Sequence, residues 1–149
     1  MMPQRLFGNE QQRIYRFCAE CCAAQESGEL SVARMLDAWD FAYGLTEVTV
    51  GGVLELGSII EPDNEVLEWR QIDVLKPLIP VIDWREIPSA MESLVLTSRF
   101  ADPGDWVQSF LTVHPFIDGN GRIAEIIYNW LRGTMEDPSH FPRPLDSVK

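Results

Sequence analysis

The stretch HPFIDGNGR, residues 114–122, sets a histidine, an acid, two glycines and an arginine side by side. Together these groups could move a phosphorus-bearing group onto a hydroxyl. Gly119 and Gly121 can adopt positive φ, letting successive backbone N–H groups converge on an anion. The loop opens a helix N-terminus, where unpaired donors and the macrodipole favour phosphate. Arg122, one turn in, can aim a guanidinium fork at phosphate oxygens. Asp118 is a hard oxygen ligand suited to Mg2+. His114 stands at the loop entrance, where a neutral imidazole could take the proton of an attacking hydroxyl. Phe116 would point inward and fix the loop on the core. Each group also has an ordinary reading. His114 lies on an apolar stripe as a core histidine would, and Asp118-Gly119 and Asn120-Gly121 are common turns.

The elements that must position this loop are mostly helical. The spacing of Ile14, Phe17, Cys18 and Cys21 predicts a helix over about 10–26. A second follows, with Ser31 as its cap, Val32, Met35, Leu36, Trp39 and Tyr43 as its stripe, and Gly44 closing it in a left-handed conformation. Residues 47–60 are ambiguous, because β-branched residues surround a glycine pair. The partial alternation and prolines of 64–84 suit a short exposed hairpin. A helix is expected from about Pro88 to Phe100, with Met91, Leu94 and Val95 inward. Asp102 and Pro103 can start the next, which Pro115 should stop at His114. Beyond the loop, Ile123, Ile126, Ile127, Trp130 and Leu131 form the strongest apolar face, and Gly133 is a natural stop. The remainder, 134–149, reads as a proline-rich tail with little means of folding alone.

Length and charge bound the function. A chain of 149 residues fits one domain with a real core, and its net charge of −11 argues against a nucleic acid partner or an acidic membrane surface. The N-terminal residues lack a signal-peptide core and no apolar run is long enough to span a bilayer, so a cytoplasmic protein is expected. Cys18, Cys21 and Cys22 share a helical face. A three-sulfur zinc site with a remote histidine is conceivable. Small buried hydrophobes are the plainer reading, because the paired Cys-x-x-Cys units of structural zinc sites are missing.

The motif HPFIDGNGR resembles the signature of the Fic/Doc family, His-Pro-Phe-x-(Asp/Glu)-Gly-Asn-Gly-Arg-x-x-Arg. The likeness extends over about 30–133, with LEWRQIDVLKPLIP in the place of the family's flap. It implies a single Fic-like domain over 1–149, an all-α, Fic-type helical bundle with a short β-hairpin flap over the active site. It also implies transfer of AMP or another nucleotidyl or related phosphate-containing group to a Ser, Thr or Tyr hydroxyl of a protein target. On that resemblance His114 is the catalytic general base and Asp118 the Mg2+ ligand. Gly119, Asn120, Gly121 and Arg122 hold the nucleotide phosphates, Phe116 is the structural anchor, and the flap aligns the target as an added strand. The continuation NWLRGTMEDP resembles compact phage-borne variants, which implies a bacterial, phage- or mobile-element-encoded origin.

Glu125 is the departure. The family's second arginine, associated with the γ-phosphate, belongs there. An anion in its place leaves three readings. The donor is ATP or another NTP held by a different contact, with Arg34, Arg85 or Arg99 standing in. Or it is a CDP-linked or UDP-linked compound without a γ-phosphate. Or the chain is a degenerate nucleotide-binding or interaction module without turnover. At i, i+3, Glu125 can also pair with Arg122. The Ser/Thr-x-x-x-Glu-(Gly/Asn) inhibitory motif of many relatives is absent from the sequence.

Overall fold

The computed structural model describes residues 8–25, 29–64, 67–74 and 81–142. Six helices run in chain order: α1 (Gly8–Ala24), α2 (Glu29–Tyr43), α3 (Val50–Ile60), α4 (Ile87–Thr97), α5 (Pro103–Val113) and α6 (Asn120–Arg132). A 3-10 turn at Trp84–Glu86 leads into α4. Among the described residues, all regular structure is helical.

The ambiguous stretch 47–60 resolves into α3. Thr49 caps it, its hydroxyl accepting the Gly52 N–H at 2.9 Å. Val53, Leu56, Gly57 and Ile60 then face inward at i, i+3, i+4 and i+7. Helical burial overrides β-propensity here. Asp102 caps α5 as expected, accepting from the Asp105 N–H at 3.1 Å. The ends of α2 differ from expectation. It begins at Glu29, so Ser31 lies inside it rather than at its cap. Gly44 keeps an ordinary φ. Its N–H bonds Phe41 O at 3.2 Å and Leu45 N–H bonds Ala42 O at 3.0 Å, a tightened last turn that needs no left-handed residue.

At the centre stands α6, packed against α1, α2, α3 and α5. Every residue from Asn120 to Asn129 is buried. The apolar face expected from Ile123, Ile126 and Ile127 is present, but the opposite face is enclosed too. Arg122, Glu125 and Asn129 therefore form a polar stripe inside the protein, at 2%, 0% and 0% exposure.

The expected β-hairpin is not supported. No strand occurs in 67–74 or 81–83, and residues 75–80, at the middle of the expected hairpin, lie outside the described residues. Instead of pairing with each other, the two arms pair with the end of α5. Arg70 N–H bonds Pro115 O at 2.8 Å, and Ile82 N–H bonds Thr112 O at 3.3 Å. The Arg70 guanidinium, 2% exposed, then ties both arms to the bundle. Its Nε donates to His114 O at 2.6 Å and Nη1 to Ile72 O at 2.6 Å. Nη2 donates to Ile82 O at 2.9 Å and Val113 O at 3.3 Å. One buried cation thus takes carbonyls that a ladder would otherwise need.

The tail also departs from its expected looseness as far as residue 142. The polar stripe captures it. Asn129 donates to Ser139 O at 3.1 Å and accepts from Ser139 N–H at 3.0 Å. Trp39 Nε1–H donates to Met135 O at 3.3 Å, and the side chains of Met135 and Phe141 join the core.

Gly57 admits the closest approach between α3 and the loop. A β-carbon there would lie 2.3 Å from Phe116 Cε1 and 2.4 Å from Cζ. A buried ring cannot give way as the end of a flexible chain can. Gly57→Ala is therefore expected to lower unfolding stability by about 1–3 kcal/mol, read as a drop in urea midpoint at unchanged m. Adding Phe116→Leu, which removes ring atoms at the clash, should recover part of the loss.

Candidate functional site

The loop between α5 and α6 begins with a strained residue. His114 closes the last turn of α5, its N–H bonding Phe110 O at 2.9 Å. It then turns left-handed, at φ 52° and ψ 61°. Pro115 was expected to stop the helix at His114, and it does, with His114 leaving the right-handed α region for the left-handed one. Such a conformation costs a non-glycine residue on the order of 1–3 kcal/mol. Arg70 offsets this by holding the carbonyls of Val113 and His114 from its side chain and that of Pro115 from its N–H. Burial lowers the Arg70 pKa from its ordinary value, while Asp73 and Asp83 pull it back up. The His114 side chain is fully enclosed, at 0% exposure.

Phe116 is the buried anchor that its position suggests, packed on Gly57 and against the Trp69 ring with centroids 5.5 Å apart. Asn120 is latched to it. Asn120 Oδ1 accepts the Phe116 N–H at 3.0 Å and Nδ2 donates to Phe116 O at 2.8 Å. The Asn120 side chain thus shapes the loop, leaving its backbone to face an anion. Gly119 N–H is also engaged, donating to Asp118 Oδ1 at 2.8 Å. Gly119 itself is required twice over: its φ is +90°, and a β-carbon would meet Ile60 Cγ2 at 2.8 Å. It begins α6 without a side-chain cap, so the first-turn donors of the helix point at the loop unclaimed by any cap.

Arg122 lies at 2% exposure between two carboxylates, its Nη2 at 3.6 Å from Asp118 Oδ1 and 3.8 Å from Glu61 Oε2. Among the described residues, its Nε and Nη1 are buried without a hydrogen-bond partner. Leaving such donors unmet is costly, and a guanidinium fork so placed can take the oxygens of an anion. Beside it the Gln25 amide presses on Gly121, where a β-carbon would meet Nε2 at 2.3 Å. Gln25 Nε2 is likewise buried and unpartnered. Burial raises the Cys22 thiol pKa, with the Arg122 charge acting against it. Burial also drives the Cys18 pKa upward, and all three cysteines are buried on α1 with no disulfide among the described residues.

Glu125 is turned toward the tail. Its Oε1 accepts the Phe141 N–H at 2.6 Å, and its Oε2 lies 3.2 Å from His140 Nδ1. Two of the three arginines named as candidates to replace the missing cation are engaged elsewhere. Arg85 pairs with Asp83 at 3.0 Å and Arg99 with Glu47 at 3.0 Å, both on the surface. Arg132, farther along α6, stacks on Tyr128.

The Fic/DOC family model matches residues 54–131, just over half of the chain. The chain belongs to the Fic/DOC family. A crystal structure of a Fic-domain-containing signaling protein from Bacteroides thetaiotaomicron superposes with a TM-score of 0.57 at 21% identity. The match covers 68% of this chain and 46% of that one, so this chain spans less than half of that protein's length. At this identity the likeness speaks for the Fic fold alone. A search of curated protein sequences finds no match.

Sequence reading of the Fic motif missed the residues that hold it from outside. Asn64 donates from Nδ2 to Asp118 O at 3.0 Å and to Gly57 O at 3.1 Å, clamping the loop to the end of α3. Its only signal was a polar turn, EPDN. Arg70 was visible as one of two cations in the alternating stretch 64–84, the kind of residue that a buried carbonyl cluster demands. Gln25, Glu61 and His140 carried no signal at all. Arg70→Lys tests the staple. One ammonium cannot span four carbonyls, so stability should fall by about 2–3 kcal/mol, measured by urea unfolding. Protease cutting within 67–74 should accelerate.

Proposed function

We propose that this Fic-domain protein transfers a nucleotidyl or related phosphate-containing group from a nucleotide donor to a protein hydroxyl. The observation that carries the reading is Arg122, a buried guanidinium with two unpartnered donors beside the uncapped start of α6. An anion of phosphate type meets both needs. The His114 imidazole would accept the proton of the attacking hydroxyl. The new oxygen–phosphorus bond forms as the bond from phosphorus to the leaving phosphate oxygen breaks, and that oxygen keeps the electron pair. With the Gly119 N–H given to Asp118, the backbone N–H groups of Asn120 and Gly121 and the Arg122 guanidinium would hold the charge that shifts onto the leaving group. Asp118 fits a Mg2+ ligand, since its carboxylate is 58% exposed and its contacts are both through Oδ1. Bound there, Mg2+ would neutralise phosphate charge.

The donor that suits the site has two phosphates. Arg122 is flanked by Glu61 and Asp118, and Glu125 adds no cation. A CDP-linked or UDP-linked compound therefore fits better than ATP. The target would lie in the cleft of about 360 Å3 bounded by Asn64, Trp69, Arg70, Gln71, Phe116 and Ile117. A second reading, nucleotide binding without turnover, is favoured by the complete enclosure of His114.

The test uses radiolabelled ATP, GTP, UTP, CTP and CDP- or UDP-linked donors with Mg2+ and protein extract. Label is expected on protein, most from a diphosphate-linked donor. His114→Asn, which tolerates the left-handed backbone, should cut transfer by at least about 100-fold with donor binding kept. Binding of a donor with no label transferred from any of them would instead establish the second reading.

A further inference from the structure

Away from the phosphate loop, three side chains of different chemistry converge on one point. Cys21 comes from α1, Glu125 from α6 and His140 from the tail, and their ligand atoms all lie within 4.8 Å of one another. We propose that they bind a zinc ion, which fastens α1 and the tail to the motif helix. The site is separate from the transfer chemistry and stands whether or not the chain turns over a nucleotide.

The distances fit. Cys21 Sγ is 3.8 Å from Glu125 Oε2 and 3.8 Å from His140 Nδ1, and Nδ1 is 3.2 Å from Oε2. Ordinary zinc bond lengths around a tetrahedral ion set ligand atoms roughly 3.3–3.6 Å apart. A thiol hydrogen bond at 3.8 Å is weak, whereas the three atoms are close to the right spacing for sharing an ion.

Two of the three ligands, Glu125 and His140, are oriented by a neighbour, as metal ligands are. Glu125 Oε1 is taken by the Phe141 N–H at 2.6 Å, which leaves Oε2 as a single-oxygen ligand. His140 Nε2 meets Glu20 Oε1 at 2.8 Å. With Nε2–H donated to that carboxylate, Nδ1 turns a lone pair toward Glu125 Oε2, and a cation shared with the sulfur resolves the contact. The ring also stacks on Phe17, centroids 4.4 Å apart at 21°.

The donor set selects the metal. Sulfur with imidazole suits zinc, and both disfavour Mg2+ and Ca2+. On binding, the Cys21 S–H bond is replaced by S–Zn and the proton leaves to solvent. A thiolate and a carboxylate then balance the ion's charge. The half-exposed side of His140 leaves the fourth position to water.

Protein stripped of metal and titrated with Co2+ gives the decisive reading. One equivalent is expected to bind with thiolate-to-cobalt absorption in the near ultraviolet, displaced by Zn2+, and Zn2+ should raise the Tm. Cys21→Ser should abolish the band, while Cys18→Ser and Cys22→Ser keep it. His140→Ala and Glu20→Gln alter exposed side chains and so should leave the fold intact. His140→Ala should weaken binding by more than tenfold, and Glu20→Gln by about tenfold. A band that survives Cys21→Ser, or no saturable binding at one equivalent, overturns the proposal. The cluster would then be an ion pair of protonated His140 with its two carboxylates.

Discussion

Buried polar groups must be matched or they destabilise the fold that encloses them. That constraint falls hardest on α6, which is enclosed on every side while carrying Arg122, Glu125 and Asn129 along one stripe. Glu125 and Asn129 meet it within the chain, and Arg122 meets it only through Nη2. Arg122 turns to Glu61 and Asp118 at the loop. Glu125 takes Phe141 N–H and His140, and Asn129 takes Ser139 and Thr134. One face of one helix therefore holds the phosphate loop at its beginning and the chain's tail farther along.

The replacement of arginine by Glu125 acquires a structural meaning in this arrangement. A second arginine would serve the phosphate end of the stripe. Glutamate serves the other end, accepting a backbone N–H that would otherwise be buried without a partner. The residue that weakens the case for a triphosphate donor is thus one that orders the tail. Both consequences follow from one change of charge sign at a buried position.

Much of this was legible from the residues. His114 to Arg122 announced a loop before a helix, and Phe116, Gly119 and Gly133 occupy the conformations that their types suggest. Helix spacing found α1, α2, α4, α5 and α6 in outline. What escaped was whatever depends on surroundings rather than period. Periodicity marked one apolar face of α6 and gave no sign that the other was covered as well. The alternation of 64–84 looked like a hairpin because side chains alternate wherever backbone is extended, and Arg70's capture of the carbonyls is a tertiary event. Asn120 looked like an anion ligand, yet its side chain serves the loop's own backbone.

The partners of α6 are drawn from opposite ends of the chain. Cys21 meets Glu125 across 104 positions, and Arg13 meets Glu136 across 123. Closing such separations is slow and entropically expensive, and the reward comes only when both ends arrive. The motif helix lies deep in this late-closing region. Without α1 and the segment near residue 140, Glu125 would lose its contacts with Cys21, His140 and Phe141. The enclosure of the motif helix is therefore a property of the finished topology, which no single segment of the chain supplies alone.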